Sequence, residues 1–167
     1  LLGFQLWINM PAKSKMNKPE YLYIKKNDLG VHKDGEKIVK VIAGKFENAE
    51  GPEKGHNVEP IYFHVVLEKD KKFKCNVPVG HNSFIYLLAG DLSVGEDKHD
   101  KTGDSNLLLL DKGDKLIVKA NDRSEFLFIA GKPIGEPIAR GGPFVMNTKA
   151  EIIKAVQDYH NGTFAKY

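Results

Sequence analysis

Cysteine is almost absent from this 167-residue sequence, with Cys75 standing alone. No internal disulfide can staple the fold, so a reducing, intracellular compartment is expected. Arginine is nearly as scarce: Arg123 and Arg140 are the only two, and the rest of the positive charge behind the net +3 is lysine spread along the chain. Planar bidentate contacts to guanine or phosphate need arginine, so direct sequence-specific nucleic-acid binding is not expected. No apolar run approaches the roughly 20 residues that cross a bilayer, and no membrane role is expected. An initiator methionine and a signal peptide are also lacking. The sequence opens Leu1-Leu2-Gly3-Phe4 and reads as the interior of a longer protein. What remains is ordinary globular composition, 41% hydrophobic and 28% charged, enough for one substantial core.

Short apolar segments recur between turn signals: "FQLWIN", "KIVKVIAG", "IYFHVVLE", "FKCNV", "FIYLLAG", "LLLLD", "KLIVKA" and "EFLFIAG". That spacing predicts an all-β sandwich or barrel. Asp34-Gly35, Pro78-Val79-Gly80, Lys112-Gly113-Asp114 and Gly131-Lys132-Pro133 supply the reversals, and two polar loops, "ENAEGPEKGHNVEP" and "GEDKHDKTGDS", are long enough to cover a barrel mouth.

The two ends differ in kind from the middle. Phe4, Leu6 and Ile8 alternate with Gln5, Trp7 and Asn9, which predicts a strand followed by a Lys-rich linker to residue 35. Left without its sheet partners, such a strand exposes an edge through which the chain could dimerise. At the other end, Thr148 with Glu151 forms a capping-box signature, and Ile152, Val156 and Tyr159 recur at helical spacing before Asn161-Gly162. A helix of about three turns is predicted over Lys149 to His160. The domain reading is therefore strand and linker over 1–35, barrel over 36–147, and helix with tail over 148–167. The proline-bounded "GKPIGEPIARGGP" is a poor phosphate cradle. It reads as an ordered crossing that lays Pro143 to Met146 on the barrel, with Arg140 and Glu136 placed to pair.

Three blocks carry a family resemblance: "GFQLWINMPAKSKM", "PVGHNSFIYLLAGDLSVG" and "AGKPIGEPIARGGPFVMNTKAEIIKAVQDYHNG". In order and spacing they resemble the C-terminal half of a pirin, a two-cupin (bicupin) protein. The resemblance implies a cupin-type antiparallel β-barrel (double-stranded β-helix or jelly roll) with a C-terminal helix. It places the family's iron-type metal in the N-terminal barrel, held by a His-x-His pair, a Glu and a further His, all upstream of "GFQLWIN". It also implies the family's roles: transcriptional coregulation through contacts to transcription factors in the nucleus or cytoplasm, and quercetin 2,3-dioxygenase chemistry in intact members.

Cupin metal binding needs two imidazoles two residues apart on one strand, a carboxylate on the same pocket and a later His. Counted back from Gly90 with the spacing of the family's metal-bearing barrel, the Glu column falls on Asn82 and the two His columns on Pro78 and Asn76. These are poor ligands, and "KANDRSEFLF" holds no later His. His81 lies one residue off, which reverses its facing. No metal, cofactor or catalytic residue is expected in this chain. His81 reads as a turn residue whose ring bonds a backbone carbonyl, or as one of a polar patch at the barrel mouth with Asn82, Tyr86 and His64 that touches a partner or small molecule. His64 also reads as a hydrogen-bonded histidine on a sheet face, and His32, His56, His99 and His160 read as surface residues. Cys75 reads as a small strand-end residue, and Ser83 and Ser105 have no nucleophile elbow around them. Phe4 and Trp7 are candidate inter-domain contacts.

Three functions remain open. The chain can be a metal-free structural and partner-binding module, the non-catalytic half of a metal-dependent quercetin 2,3-dioxygenase-type enzyme, or a barrel that holds a sugar or organic acid.

Overall fold

The computed structural model describes residues 3–53, 57–95, 100–101 and 106–164. His56, His99 and Ser105 lie outside the described residues. The chain divides into two units: residues 23–133 form one, and the described residues of 1–22 and 134–167 form the other.

The larger unit is the β structure predicted from the apolar segments. Its strands are β1 (Gly30–Lys33), β2 (Lys37–Ala43), β3 (Lys45–Phe46), β4 (Ala49–Glu50), β5 (Ile61–Leu67) and β6 (Lys72–Asn76). They continue with β7 (Asn82–Ala89), β8 (Leu92–Val94), β9 (Asp100–Lys101), β10 (Leu107–Leu110), β11 (Lys115–Ala120) and β12 (Ser124–Gly131). A six-stranded sheet runs β1-β2-β5-β12-β7-β10 and a four-stranded sheet β6-β11-β8-β9, with every pairing antiparallel. This is the cupin-type β-barrel.

Alternation sets the facing of each strand. In β5, Phe63, Val65 and Leu67 are fully buried while Tyr62, His64 and Val66 are only half-buried. Phe73 and Cys75 of β6, Leu116 and Val118 of β11, and Phe126 and Phe128 of β12 face the same core. Five phenylalanines fill it. Phe46 stacks on Phe73 with ring centroids 5.3 Å apart, and Phe73 meets Phe126 edge-on at 5.8 Å and Phe128 at 6.5 Å. Phe63 bridges Phe46 at 5.8 Å and Phe128 at 6.0 Å. Burying each ring stabilises the fold by roughly 1.5–3 kcal/mol, and the edge-to-face geometry adds to it.

The barrel begins earlier than the sequence reading placed it. β1 lies within the span assigned to the linker and pairs with β2 from Gly30↔Val41 to Lys33↔Ile38. Asp34-Gly35 is the turn of that hairpin: the Asp34 carboxylate accepts from the N–H groups of Glu36 and Lys37, and Gly35 takes a φ of 83°.

The smaller unit holds β13 (Ala139–Gly141), β14 (Phe144–Met146) and helix α1 (Lys149–His160). The helix has its predicted bounds and cap. Glu151 N–H donates to Thr148 Oγ1 at 3.2 Å, Thr148 N–H returns to the Glu151 carboxylate at 2.7 Å, and Gly162 takes φ 63° beyond the end. The strand expected over Phe4 to Ile8 is not formed. Those residues enter no sheet, because an alternating segment with no neighbouring strand has nowhere to place its ladder hydrogen bonds. Residues 134–147 group with this unit rather than with the barrel. Phe144–Met146 pairs with Ala139–Gly141 as a hairpin, and Glu136 accepts from the Ala12 N–H at 2.7 Å and from Asn147 Nδ2 at 2.8 Å. Those bonds replace the expected pairing of Glu136 with Arg140. Among the described residues no helix is long and apolar enough to cross a membrane.

Candidate functional site

The turn from β6 to β7 carries the residues singled out by ligand counting. Val77 N–H donates to the Asp114 carbonyl at 2.8 Å, and His81 N–H closes the turn onto the Pro78 carbonyl at 3.1 Å with Gly80 at φ 87°. His81 is 5% exposed. Its Nε2 lies 3.3 Å from the Glu59 carbonyl, so that nitrogen carries the proton and donates. Nδ1, the ring's acceptor, is buried without a hydrogen-bond partner among the described residues. The ring thus bonds a backbone carbonyl of the neighbouring loop, as the turn reading expects.

A cavity of about 730 Å³ opens beside this turn, lined by Asn76 and Pro78 together with Lys45, Glu50, Glu53 and Glu59. Two of the three ligand columns therefore border one cavity, while Asn82 is exposed at the start of β7. Their chemistry does not fit a first-row metal: Pro78 has no side-chain donor, and the amides of Asn76 and Asn82 stay neutral where imidazole and carboxylate would bind. Among the described residues no group of three or more His, Cys, Asp or Glu side chains is arranged to hold a metal ion.

His64 and Tyr86 do not join His81 at the rim. His64 pairs with Leu127 on β12, and Leu127 pairs with Tyr86 on β7, so the three form one row across the outward face of the six-stranded sheet. His64 Nε2 lies 2.6 Å from Glu125 Oε1, the sheet-face hydrogen bond expected of it. The proposed four-residue patch is spread along the strands: Asn82 shares a face with Tyr86 but lies four residues away at the start of β7, His81 is in the turn before it, and His64 is in mid-strand of β5. Sequence reasoning missed Glu125, whose only signal was its place at the head of "EFLFIAG". His32 lies at the end of the β1–β2 hairpin with Nε2 3.3 Å from Asp34 Oδ2. His160 is the exposed last residue of α1.

Cys75 is buried, and its thiol donates to the Asn76 carbonyl at 3.2 Å. Burial pushes the thiol up to about 11, because the thiolate loses hydration in the core. At neutral pH Cys75 is expected to resist iodoacetamide in the native protein and to react at the ordinary rate once urea unfolds it. Rapid native alkylation followed by intact mass would contradict this.

In the smaller unit, Trp7 is 68% exposed and Phe4 46%. Both contact candidates therefore present apolar surface.

The pirin C-terminal cupin family matches residues 62–165. Pirin of Homo sapiens is 34% identical over 163 residues, covering 95% of this chain and 56% of its own length. A pirin-like protein of Caulobacter vibrioides is 36% identical over 164 residues, covering 97% of this chain and 58% of its own length. Among solved structures, a quercetin 2,3-dioxygenase from Acinetobacter baumannii superposes with a TM-score of 0.79 at 32% identity, covering 95% of this chain and 55% of that one. The chain thus spans a little over half the length of the relatives it matches. It belongs to the pirin family and carries that family's C-terminal cupin domain.

Proposed function

We propose that this chain is the metal-free cupin half of a pirin-like protein, an inactive barrel that serves as a structural and partner-binding module of the transcription-coregulator type within the cell. The observation that carries this reading is the residue set at the ligand columns. Asn76, Pro78 and Asn82 stand where the family's metal-bearing barrel would place its ligands, and Phe46, Phe63, Phe73, Phe126 and Phe128 pack the core behind them. Catalytic metal chemistry requires open coordination positions and ionisable ligands, and these residues supply neither.

The second reading is the non-catalytic half of a metal-dependent quercetin 2,3-dioxygenase-type enzyme, favoured by the likeness to the Acinetobacter baumannii protein. In that reading the iron-type metal belongs to an N-terminal barrel, and this chain contributes scaffold. Both readings expect the 167 residues alone to purify without stoichiometric iron, nickel or zinc and to consume no oxygen with quercetin. Elemental analysis and an oxygen electrode check this, and tight stoichiometric metal with flavonol-dependent uptake would sink both. Chelator-sensitive flavonol oxidation by a longer protein containing this chain would favour the second reading over the first.

A further inference from the structure

The smaller unit contains a groove of about 640 Å³ that the barrel reading does not use. Trp7, Met10, Phe144 and Phe164 provide its apolar walls, with the Phe144 and Phe164 rings 5.0 Å apart. Its charged lining is cationic only, Lys15 and Arg140.

The origin of that charge is visible in the strand. On β13, Gly141 lies against the helix, where a side chain would strike Ile152 Cγ2. Alternation turns Arg140 to the opposite, exposed face. Glu136, the carboxylate nearest in sequence, is held by Ala12 and Asn147, and Glu151 is held in the helix cap by Thr148 and Asn147. Arg140 makes no ion pair or side-chain hydrogen bond among the described residues, whereas Lys15 gives one of its three donors to Asn9 Oδ1 at 2.6 Å. Among the described residues, then, a planar guanidinium with its donors available lines the same groove as the exposed Trp7 ring and the half-buried Phe144 and Phe164 rings.

We propose that this groove binds a small aromatic carboxylate, its ring against Trp7 and Phe144 and its carboxylate on Arg140 with Lys15 alongside. The walls supply apolar contact and ring stacking, and the guanidinium fork matches a carboxylate in shape and charge. The volume is that of an ordinary small-molecule site. This inference is independent of whether the barrel is a partner-binding module or an enzyme scaffold.

Trp7 is the chain's single tryptophan, so its fluorescence reports directly on the groove. Benzoate, with Trp7 excited at the red edge where benzoate does not absorb, is expected to change the emission saturably with a dissociation constant on the order of 1 mM, as fits a fragment-sized ligand. Benzamide, the neutral isostere, is expected to bind about tenfold more weakly, and Arg140→Gln is expected to weaken benzoate by about tenfold while leaving benzamide unchanged. Arg140→Lys, which keeps the charge but not the fork, should fall between. Unchanged far-UV circular dichroism of the exposed-site variants separates lost binding from lost folding. An unsaturable response, equal responses to the two probes, or benzoate binding indifferent to Arg140→Gln would overturn the proposal. So would Trp7 emission that follows protein concentration and ignores benzoate, which would assign the groove to a second copy of the chain.

Discussion

Replacing Phe73 with alanine is expected to lower the unfolding free energy by about 3–5 kcal/mol, the range for emptying a fully buried aromatic position. Phe73 has no exposed surface and sits at the centre of the ring cluster, against Phe46, Phe126 and Phe128. It joins the two sheets, since Phe73 belongs to the four-stranded one and Phe126 and Phe128 to the six-stranded one. Truncation removes both the transferred apolar area and the contacts of three neighbouring rings, and the strands around it are too constrained to collapse on the void. Urea denaturation of the variant against the parent chain measures the difference. A loss below about 1 kcal/mol would mean that the interior is loosely packed, which would also reopen the barrel as a ligand cavity.

A second large effect is expected from Gly90→Ala, by a different mechanism. Gly90 follows β7 with φ 92°, and a Cβ there would meet the Ser124 hydroxyl and lie only 2.6 Å from the Arg123 carbonyl oxygen and from Ser124 Cα. Ser124 cannot retreat. It is 1% exposed, its hydroxyl donates to the Asp122 carbonyl at 2.6 Å, and it accepts from the Asp91 N–H at 3.1 Å. The left-handed backbone costs alanine about 1 kcal/mol, and displacing the β12 backbone raises the total to about 3 kcal/mol or more. Gly35→Ala is the internal comparison. Gly35 has φ 83° but open space around it, so it should lose only the conformational part, about 1 kcal/mol. Equal melting shifts for the two variants would show that the close approach at Ser124 carries no energy.

Much of this architecture was legible in one dimension. β2, β5, β7, β11 and β12 lie where alternating or continuous apolar runs sit between Gly, Pro and Asp signals. α1 has the bounds implied by its capping box and by Asn161-Gly162. These features are local: side-chain alternation and end capping depend on residues a few positions apart. The short strands were illegible for the opposite reason. Gly30–Lys33 and Ala139–Gly141 have too few residues to show a period, and each exists only because a partner strand accepts its hydrogen bonds.

The candidate sites divide along the same line. Ligand counting, which borrows the spacing of the family's metal-bearing barrel, names Asn76, Pro78 and Asn82 as the column residues, and their side-chain chemistry is then read from identity alone. Sequence by itself determined the barrel's longer strands and the helix. The tertiary structure decided what was non-local: that Phe4 to Ile8 forms no strand, that His64 bonds Glu125 on an outer face while His81 is buried in a turn, and that Glu136 bonds Ala12 and Asn147 and, among the described residues, leaves Arg140 without an ion pair. Each of these depends on groups far apart in the chain meeting in space. A sequence pattern states which side chains share a face, but only the packed fold selects which neighbour that face meets.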